Sequence, residues 1–523
     1  MKSKNIKTAL ISVFDKSGIV EFSKKLIKKN IKLFSTEGTA NILRKNKINV
    51  TNISDYINFP EIMDGRLKTL HYQIYAGVLY RKGIDDHIIK KYSIIPFDLV
   101  IANFYSFDEK ESWKNEKMKE ILKYIDIGGP AIVRAAAKNY EHISILVDNK
   151  DYLLFDKHLE NNTLSINERM RLAMKAFEYT AMYEKKIFTF FKKKVTSLKK
   201  KEETFPSILN MQFFKKKNLS YGENKHQKGA FYTEKKVFSG SIGNVEKIQG
   251  KKLSLNNIYD ADIALECVKE FIEPTCVIIK HGNPCGVASA ENLHQAYKLA
   301  YESDSSSAFG GIIAFNKILD SVTALEILNK QFVEVIIFPD ITSSALKIFK
   351  KKPNIRLLSV GYFTNKKNFL DFKSVTNGLL IQEKDQLSID VKKWKIVTKR
   401  IPTEEEKKDA IFAWKIVKFI KSNGIVYVKN RVTLGIGAGQ TSRLCSVKVA
   451  NMKLLNQNKK KYNNIIMASD AFLPFSDSIK EANKLNIKTV IQPGGSIRDQ
   501  EVKKEADKCH MTMIFTNFRH FKH

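Results

Sequence analysis

Arginine and cysteine are both scarce in this chain. Twelve Arg stand among 89 Lys and Arg residues, and five Cys are spread over 523 residues. No two Cys form a CxxC pair, which excludes a disulfide framework and a zinc site of the usual spacing. No apolar run is long enough to span a membrane. The opening residues, MKSKNIKTALISVF, hold Lys but neither a long apolar stretch nor a small-residue cleavage site, so no signal peptide is expected. A reduced, cytoplasmic setting fits these absences. Zinc-finger, RNP-box and basic–aromatic patterns are missing too.

What the chain has in excess is Lys, which brings the net charge to +34. Such a balance raises the question of a nucleic-acid partner. The Lys residues are dispersed along the whole chain rather than gathered, so the preferred reading is compositional drift toward Lys, Asn and Ile, with no specific nucleic acid bound. Arg binds phosphate and carboxylate bidentately, whereas Lys acts as a point charge. Each remaining Arg therefore marks a place to look. Arg66, Arg134, Arg443, Arg498 and Arg519 all lie in motifs.

The length suits two to four domains. Hydrophobic residues at 43% and charged residues at 28% are ordinary for a soluble globular protein. TALISVF (8–14) reads as a buried strand, followed by Ile19, Phe22, Leu26 and Ile27 at helical spacing. IKLFST and FDLVIANF read as further strands, with TANILRKNK opening a helix. Strands alternating with helices predict a parallel α/β sheet. The charged segment VTSLKKKEETFPS places a boundary near residue 200, giving domains 1–198 and 199–523. The second part mixes helices with strands such as CVIIK, GGIIAF and NIIMAS. Two segments in it, ESDSSSAFGGIIAF and ASDAFLPFSDSI, echo each other faintly and suggest a repeated subdomain.

Several stretches carry chemistry. STEGTA (35–40) stands between a strand and a helix, where Thr36, Gly38 and Thr39 would offer N–H groups and hydroxyls to a phosphate; a plain N-cap is the alternative. GRLKTLH crowds Arg66, Lys68, Thr69 and His71, enough to hold a phosphate monoester or simply a basic loop. Gly128-Gly129-Pro130 predicts a turn with close backbone approach, and then a helix carrying Arg134 and Lys138 on one face. That pair would repel unless an anion lay between its members; a surface pair is the alternative. TLGIGAGQTSR has Gly435, Gly437 and Gly439 and suggests a backbone cradle with Arg443 behind it, although it is neither a P-loop nor a dinucleotide fingerprint. In CVIIKHGNPCG, Lys280 and His281 end an apolar run. HGNPC has Asn283 where a zinc deaminase has Glu, and no second Cys follows Cys285, so no metal is expected.

Taken together and in order, FDKSG, STEGTA, GRLKTLH, IDIGGP…RAAAKN, YGENKHQ, KHGNPCG, SDSSSAFGG, GIGAGQTSR, SDAFLPFSD, QPGGS and RHFKH resemble the bifunctional AICAR formyltransferase/IMP cyclohydrolases of purine biosynthesis. The resemblance runs from about residue 8 to His523. It implies an N-terminal methylglyoxal-synthase-like parallel-sheet domain, then two cytidine-deaminase-like α/β subdomains without zinc. It implies formyl transfer from 10-formyltetrahydrofolate to AICAR, closure of FAICAR to IMP, and a homodimer with the transferase site across its interface. By resemblance, Asp15, Lys16, Thr36, Gly38, Thr39, Arg66, Lys68, Thr69, Asn103, Asp126 and Ile127 contact nucleotide, and Lys138 is the acid/base of ring closure. Lys280 stabilises the transition state of formyl transfer and His281 accepts the proton. Tyr221, Phe309, Gly310, Asn423, Arg443 and Arg519 surround AICAR. Phe472, Asp477, Ser496 and Ile497 lie near substrate and folate, the last three on the folate side.

Three residues depart from the family pattern. Ser220 stands where an Arg is expected in LRYGENPHQ, Glu334 where an Asp is usual, and Glu37 where a Gly is usual. These predict weaker substrate binding with the chemistry retained. A chain keeping only cyclohydrolase activity is the alternative among enzymes, and a basic nucleic-acid-binding protein the alternative from another class.

Overall fold

Thr8–Val13 is buried along almost its whole length, which is why it reads as a continuous apolar run rather than an alternation. The structure, a computed structural model, describes residues 6–60, 62–63, 67, 69–105, 107, 117–161, 164–198, 205–364, 370–386, 389–456 and 462–523. The chain divides into two compact units, Met1–Leu209 and Asn210–His523.

In the first unit, β1 (Thr8–Val13), β2 (Lys32–Ser35), β3 (Thr51–Asn52), β4 (Leu99–Asn103) and β5 (Ser144–Leu146) form a parallel sheet in the order β3-β2-β1-β4-β5. The order reverses at β1, so the crevice beyond the carboxyl ends of β1 and β4 is where such a sheet receives a ligand. Helix Ile19–Lys28 buries Ile19, Phe22 and Leu26 against the sheet. Ile27, expected on the same face, is exposed instead. The long helix Ile166–Leu198 packs on helix Gly128–Lys138 and β5.

The second unit carries a twelve-stranded mixed sheet. Its two halves repeat one plan. An edge strand (Glu246–Gln249, then Lys395–Ile396) leads into a helix (Leu255–Val268, then Glu404–Val417). A hairpin follows: Thr275–Lys280 with Asn283–Ser289, then Ile425–Lys429 with Val432–Gly437. A second helix (Leu293–Ser303, then Arg443–Asn456) precedes three parallel strands: Ile312–Phe315, Val335–Phe338 and Arg356–Ser359, then Ile465–Ser469, Ile487–Gln492 and Thr512–Phe515. The halves join antiparallel where Ala288 meets Val432, and the strand order reads the same outward from that seam in both directions.

The repeat is therefore real, but the two echoing segments are not equivalent within it. ESDSSSAFGGIIAF runs into its strand, whereas ASDAFLPFSDSI leaves its strand and enters helix Asp477–Asn483. The glycine run at 435–439 also needs correcting. Gly435 and Gly437 are strand residues pressed against helix Arg443–Asn456: a Cβ would stand 2.4 Å from the Ala450 carbonyl oxygen and 2.0 Å from that of Ser446. They serve packing, not a cradle. Of the three, Gly439 alone faces open space.

Candidate active sites

At the carboxyl end of the first sheet, the Asn103 side chain ties the loop after β1 to β4. Its Oδ1 accepts the N–H groups of Phe14 (2.7 Å) and Asp15 (2.8 Å). The Lys16 ammonium donates to the carbonyl of Val13 at 2.5 Å. The Asp15 carboxylate is held below its ordinary pKa, chiefly by the Ser17 hydrogen bonds. Helix Glu37–Lys45 starts at the same sheet end, with Thr36 as N-cap and Thr39 donating to the Val13 carbonyl at 3.2 Å. Thr36 makes no side-chain bond to its own helix, and Gly38 is exposed. Glu37 occupies the first helical position, where a carboxylate suits the helix dipole but competes with a bound anion.

Phe104, next after β4, touches the start of helix Gly128–Lys138: a Cβ at Gly129 would stand 2.9 Å from Phe104 Cβ. The two glycines begin the helix rather than a separate turn. Asp126 caps that end through the Gly129 N–H at 3.0 Å, Ile127 is exposed, and buried Thr69 lies against Gly128. Asp15, Lys16, Thr36, Gly38, Thr39, Thr69, Asn103, Asp126 and Ile127 thus lie on strand ends, helix starts and their flanking loops. Lys138 does not join that end. It ends the helix ten residues beyond Gly128, about 15 Å along the axis. Arg134 lies over the Phe177 ring at 5.7 Å, so it pairs with an aromatic face on helix Ile166–Leu198. His71 caps helix Tyr72–Leu79 through Nδ1. Arg66 and Lys68 lie outside the described residues. A cavity of about 530 Å³ opens beside Asp15 and Asn103, walled by Asp148, Lys175 and Tyr179 among others.

In the second unit, Lys280 ends its strand and His281 and Gly282 make the hairpin turn. Both turn residues have positive φ, 54° and 75°, the two-residue turn that matches strand twist. The Lys280 ammonium donates to the Phe309 carbonyl at 2.8 Å, which brings Phe309 and Gly310 to the turn. Asn283 accepts the Lys421 N–H at 2.9 Å, which brings the Lys421–Asn423 segment there as well. Asn423 is oriented from two sides: its amide NH₂ donates to Gln440 O at 2.8 Å, and its Oδ1 accepts from Arg443 at 2.7 Å.

Arg443 is buried, paired with Asp470 and bonded to the Ser469 hydroxyl at 2.8 Å. It acts on Asn423 from behind. Phe472 follows the same Asp470. Asp477 starts helix Asp477–Asn483, Ser496 accepts the Arg498 N–H, and Ile497 is fully exposed. Arg519 lies over the Phe521 ring, and the tail returns to the site where the Ser422 N–H meets the Lys522 carbonyl at 2.9 Å. Tyr221 accepts the Leu255 N–H through its carbonyl. The Ser220 hydroxyl is spent on the Leu253 carbonyl at 3.1 Å, and Glu334 on Arg356 and Asn257. Among the described residues no cluster of three His, Cys, Asp or Glu could hold a metal ion, and no helix is long and apolar enough to cross a membrane.

The model of the family described as "AICARFT/IMPCHase bienzyme" matches residues 136–453, and that of the "MGS-like domain" matches residues 18–131. A "Bifunctional purine biosynthesis protein PurH" of Buchnera aphidicola subsp. Schizaphis graminum (strain Sg) is 54% identical over 520 residues, covering 99% of both chains. One from Buchnera aphidicola subsp. Acyrthosiphon pisum (strain 5A) is 54% identical over 529 residues, covering 100% of both. The chain belongs to the AICARFT/IMPCHase bienzyme family. It transfers formyl from 10-formyltetrahydrofolate to AICAR, giving FAICAR, and closes FAICAR to IMP with loss of water. A solved structure, "Crystal structure of ForH", shares 32% identity over 36% of this chain and 100% of its own, with a TM-score of 0.33.

Reading the sequence of this bienzyme missed Asp260, whose carboxylate accepts both N–H groups of the His281–Gly282 turn. It also missed Asp470 behind Arg443, and Lys453, which pairs with Asp304 at the start of the short helix leading to Phe309. A signal for Asp260 existed: DAxxAxxxV occurs at residues 260–268 and again at 409–417.

Proposed function

We propose that cyclohydrolase activity resides in residues 1–198 and formyl transfer in residues 199–523, with site roles as the resemblance assigns them. The observation that carries the second assignment is the turn holding His281 beside Lys280. The AICAR amine is conjugated with its imidazole ring and is a poor nucleophile, so losing its proton during attack matters. His281 takes that proton as the nitrogen bonds to the formyl carbon. The Lys280 ammonium stabilises the tetrahedral oxyanion. Collapse then breaks the bond to the folate N10, which leaves with a proton as tetrahydrofolate forms. In the cyclohydrolase, Thr36, Gly38 and Thr39 with Lys16, Arg66 and Lys68 bind the nucleotide phosphate. The carboxamide nitrogen attacks the formyl carbon of a folded FAICAR, Lys138 moves protons, and water departs. Lys138 enters on the resemblance alone, since its backbone stands at the far end of its helix.

The working unit is a homodimer whose transferase sites span the interface. What supports this is the apolar surface left open around the site: Ile497 is wholly exposed, Phe309 60% and Phe475 47% exposed. Two assays on one sample test the assignment: IMP formation from FAICAR alone, and tetrahydrofolate release with AICAR and 10-formyltetrahydrofolate. His281→Ala and Lys280→Ala should lower only the second, by about a hundredfold or more. Lys138→Ala should lower only the first. Loss of both activities in any of these variants, with the fold intact, overturns the division. A sedimentation mass of one chain at assay concentration overturns the dimer.

A further inference from the structure

Asp260 and Asp409 occupy the same place in the two repeats. Asp260 is the sixth residue of helix Leu255–Val268, and Asp409 the sixth of helix Glu404–Val417. Each helix precedes a hairpin that turns through two residues of positive φ. In the first these are His281 (54°) and Gly282 (75°), and in the second Asn430 (53°) and Arg431 (58°). The N–H groups of such turn residues have no partner in the strand ladder and must find one elsewhere. In both repeats one carboxylate takes both. Asp260 accepts from His281 at 3.1 Å and Gly282 at 2.8 Å; Asp409 accepts from Asn430 at 2.9 Å and Arg431 at 2.7 Å.

The repeats differ in what the turn presents. The second offers Lys429 and Asn430, and Lys429 faces back to Asp409 at 4.0 Å. The first offers Lys280 and His281, with the Lys280 ammonium held outward by the Phe309 carbonyl. A two-residue turn of this kind requires positive φ at both positions, so the His281 backbone stays in place only while the turn itself is held. Because the inner strands of the two hairpins are antiparallel neighbours, the two turns lie at opposite ends of the sheet. Asp409 is therefore a structural copy far from the chemistry.

We infer that Asp260 is a positioning residue for formyl transfer: by holding both N–H groups of the His281–Gly282 turn, it fixes the backbone from which the His281 imidazole and the Lys280 ammonium meet the substrate. The inference rests on the reading of that turn as the reaction centre. The charged groups facing the turn are Asp260, Lys280 and Lys421; the Lys421 Cε lies 3.4 Å from where a Gly282 Cβ would stand. Of these, Asp260 alone holds the backbone N–H groups of the turn.

The test compares full-length Asp260→Asn, Asp260→Glu and Asp409→Asn with the parent. Asp260→Asn should lower kcat for formyl transfer about ten- to a hundredfold, the penalty of a misplaced catalytic group. KM for AICAR should stay within about threefold, and FAICAR cyclisation should be unchanged. Asp260→Glu should recover part of kcat. Asp409→Asn should lower the unfolding midpoint comparably, with formyl transfer within about twofold of parent. Equal losses of transfer in Asp260→Asn and Asp409→Asn, or an unchanged kcat in Asp260→Asn, overturn the inference. If Asp260→Asn does not fold, Asp260→Glu carries the test: a lower kcat with intact cyclisation supports the inference, and an unchanged kcat overturns it. His281→Ala separates the two readings. Full transfer activity in His281→Ala sinks the turn as reaction centre; abolished transfer there with a normal Asp260→Asn sinks only the role of Asp260.

Discussion

Ala300 holds its carbonyl oxygen directly over Gly286, so close that a Cβ at Gly286 would stand 2.0 Å from it. Gly435 and Ala450 repeat the relationship in the other half, at 2.4 Å. In each repeat the second hairpin strand packs bare backbone against the following helix. The obstacle is backbone rather than a flexible side-chain end, so the helix itself must shift to admit a methyl group. Gly286→Ala and Gly435→Ala should each destabilise the second unit by about 3 kcal/mol, read as a lower urea midpoint. Formyl transfer should fall while FAICAR cyclisation persists. A midpoint equal to the parent's would show that the helices float more freely than this contact allows.

Arg443 offers a second test, because its side chain and that of Asp470 are 6% and 0% exposed. Lys in its place could keep a charge for Asp470 but could not also reach Ser469 and Asn423 in the planar fork geometry of a guanidinium. Arg443→Lys should cost about 1–3 kcal/mol of stability. With Asn423 no longer held from behind, KM for AICAR should rise more than kcat falls. Arg443→Met leaves Asp470 buried and unpaired and should cost about 3–5 kcal/mol. A KM unchanged in a folded Arg443→Lys variant would remove Asn423 orientation from the account.

Much of the first unit was legible because its signals are local. The run TALISV marks a strand buried on both faces, and STEGTA marks a helix start, each within a few residues. The second unit showed its repeat only faintly, because what the halves share is a few residues at fixed places, such as the DAxxAxxxV pattern at 260–268 and 409–417, inside helices whose other side chains differ. The run at Gly435 and Gly437 misled because a cradle and a close helix contact both demand the absence of a Cβ; only the third dimension separates them. Arg443 stood out by rarity, but its partner Asp470 lies 27 residues away in a separate motif, SDAFLPFSD, and nothing in the sequence joins the two. Lys138 shows the converse limit: a motif can carry a residue's role by resemblance while helix geometry sets its backbone about 15 Å from the other end of that helix.

Lys175 pairs with Asp148 at 2.9 Å and Asp151 at 2.6 Å, joining helix Ile166–Leu198 to the chain just after β5. Burial alone would raise the pKa of Asp148, but the Lys150 N–H and the Lys175 ammonium outweigh it and hold the carboxyl below its ordinary value. Burial alone would lower that of Lys175, but its two carboxylate partners outweigh it and raise it. A depressed Asp contributes stability that is present above its unfolded pKa, near 3.9, and is lost as pH falls through the folded value. A raised Lys contributes stability present below its unfolded pKa, near 10.4, and lost as pH rises through the folded value. The first unit should therefore hold this contribution between about pH 4 and pH 10. Since the groups are about a third exposed, it amounts to roughly 1 kcal/mol. Lys175→Met should reduce the loss of stability between pH 6 and pH 3. An acid slope identical to the parent's would place the sensitivity in other carboxylates.

Ser220 provides a test of substrate affinity. It is exposed and spends its hydroxyl and its N–H on the same Leu253 carbonyl, at 3.1 and 2.8 Å. The side chain thus presents no donor to a ligand where the family pattern has a guanidinium. Ser220→Arg would remove one side-chain bond at the surface and leave the backbone bond in place, so stability should change by less than about 1 kcal/mol. If that position faces AICAR, the restored charged donor is worth about 1.5–3 kcal/mol, and KM for AICAR should fall about ten- to a hundredfold. Cyclisation of FAICAR should not change. The outcome also weighs the Lys excess. Lys residues around the site could supply the missing charge as point charges, in which case the parent's KM would rise steeply with salt and the Ser220→Arg variant's would rise less. A KM that Ser220→Arg leaves unaltered at every ionic strength would mean that position 220 does not meet the substrate in this chain.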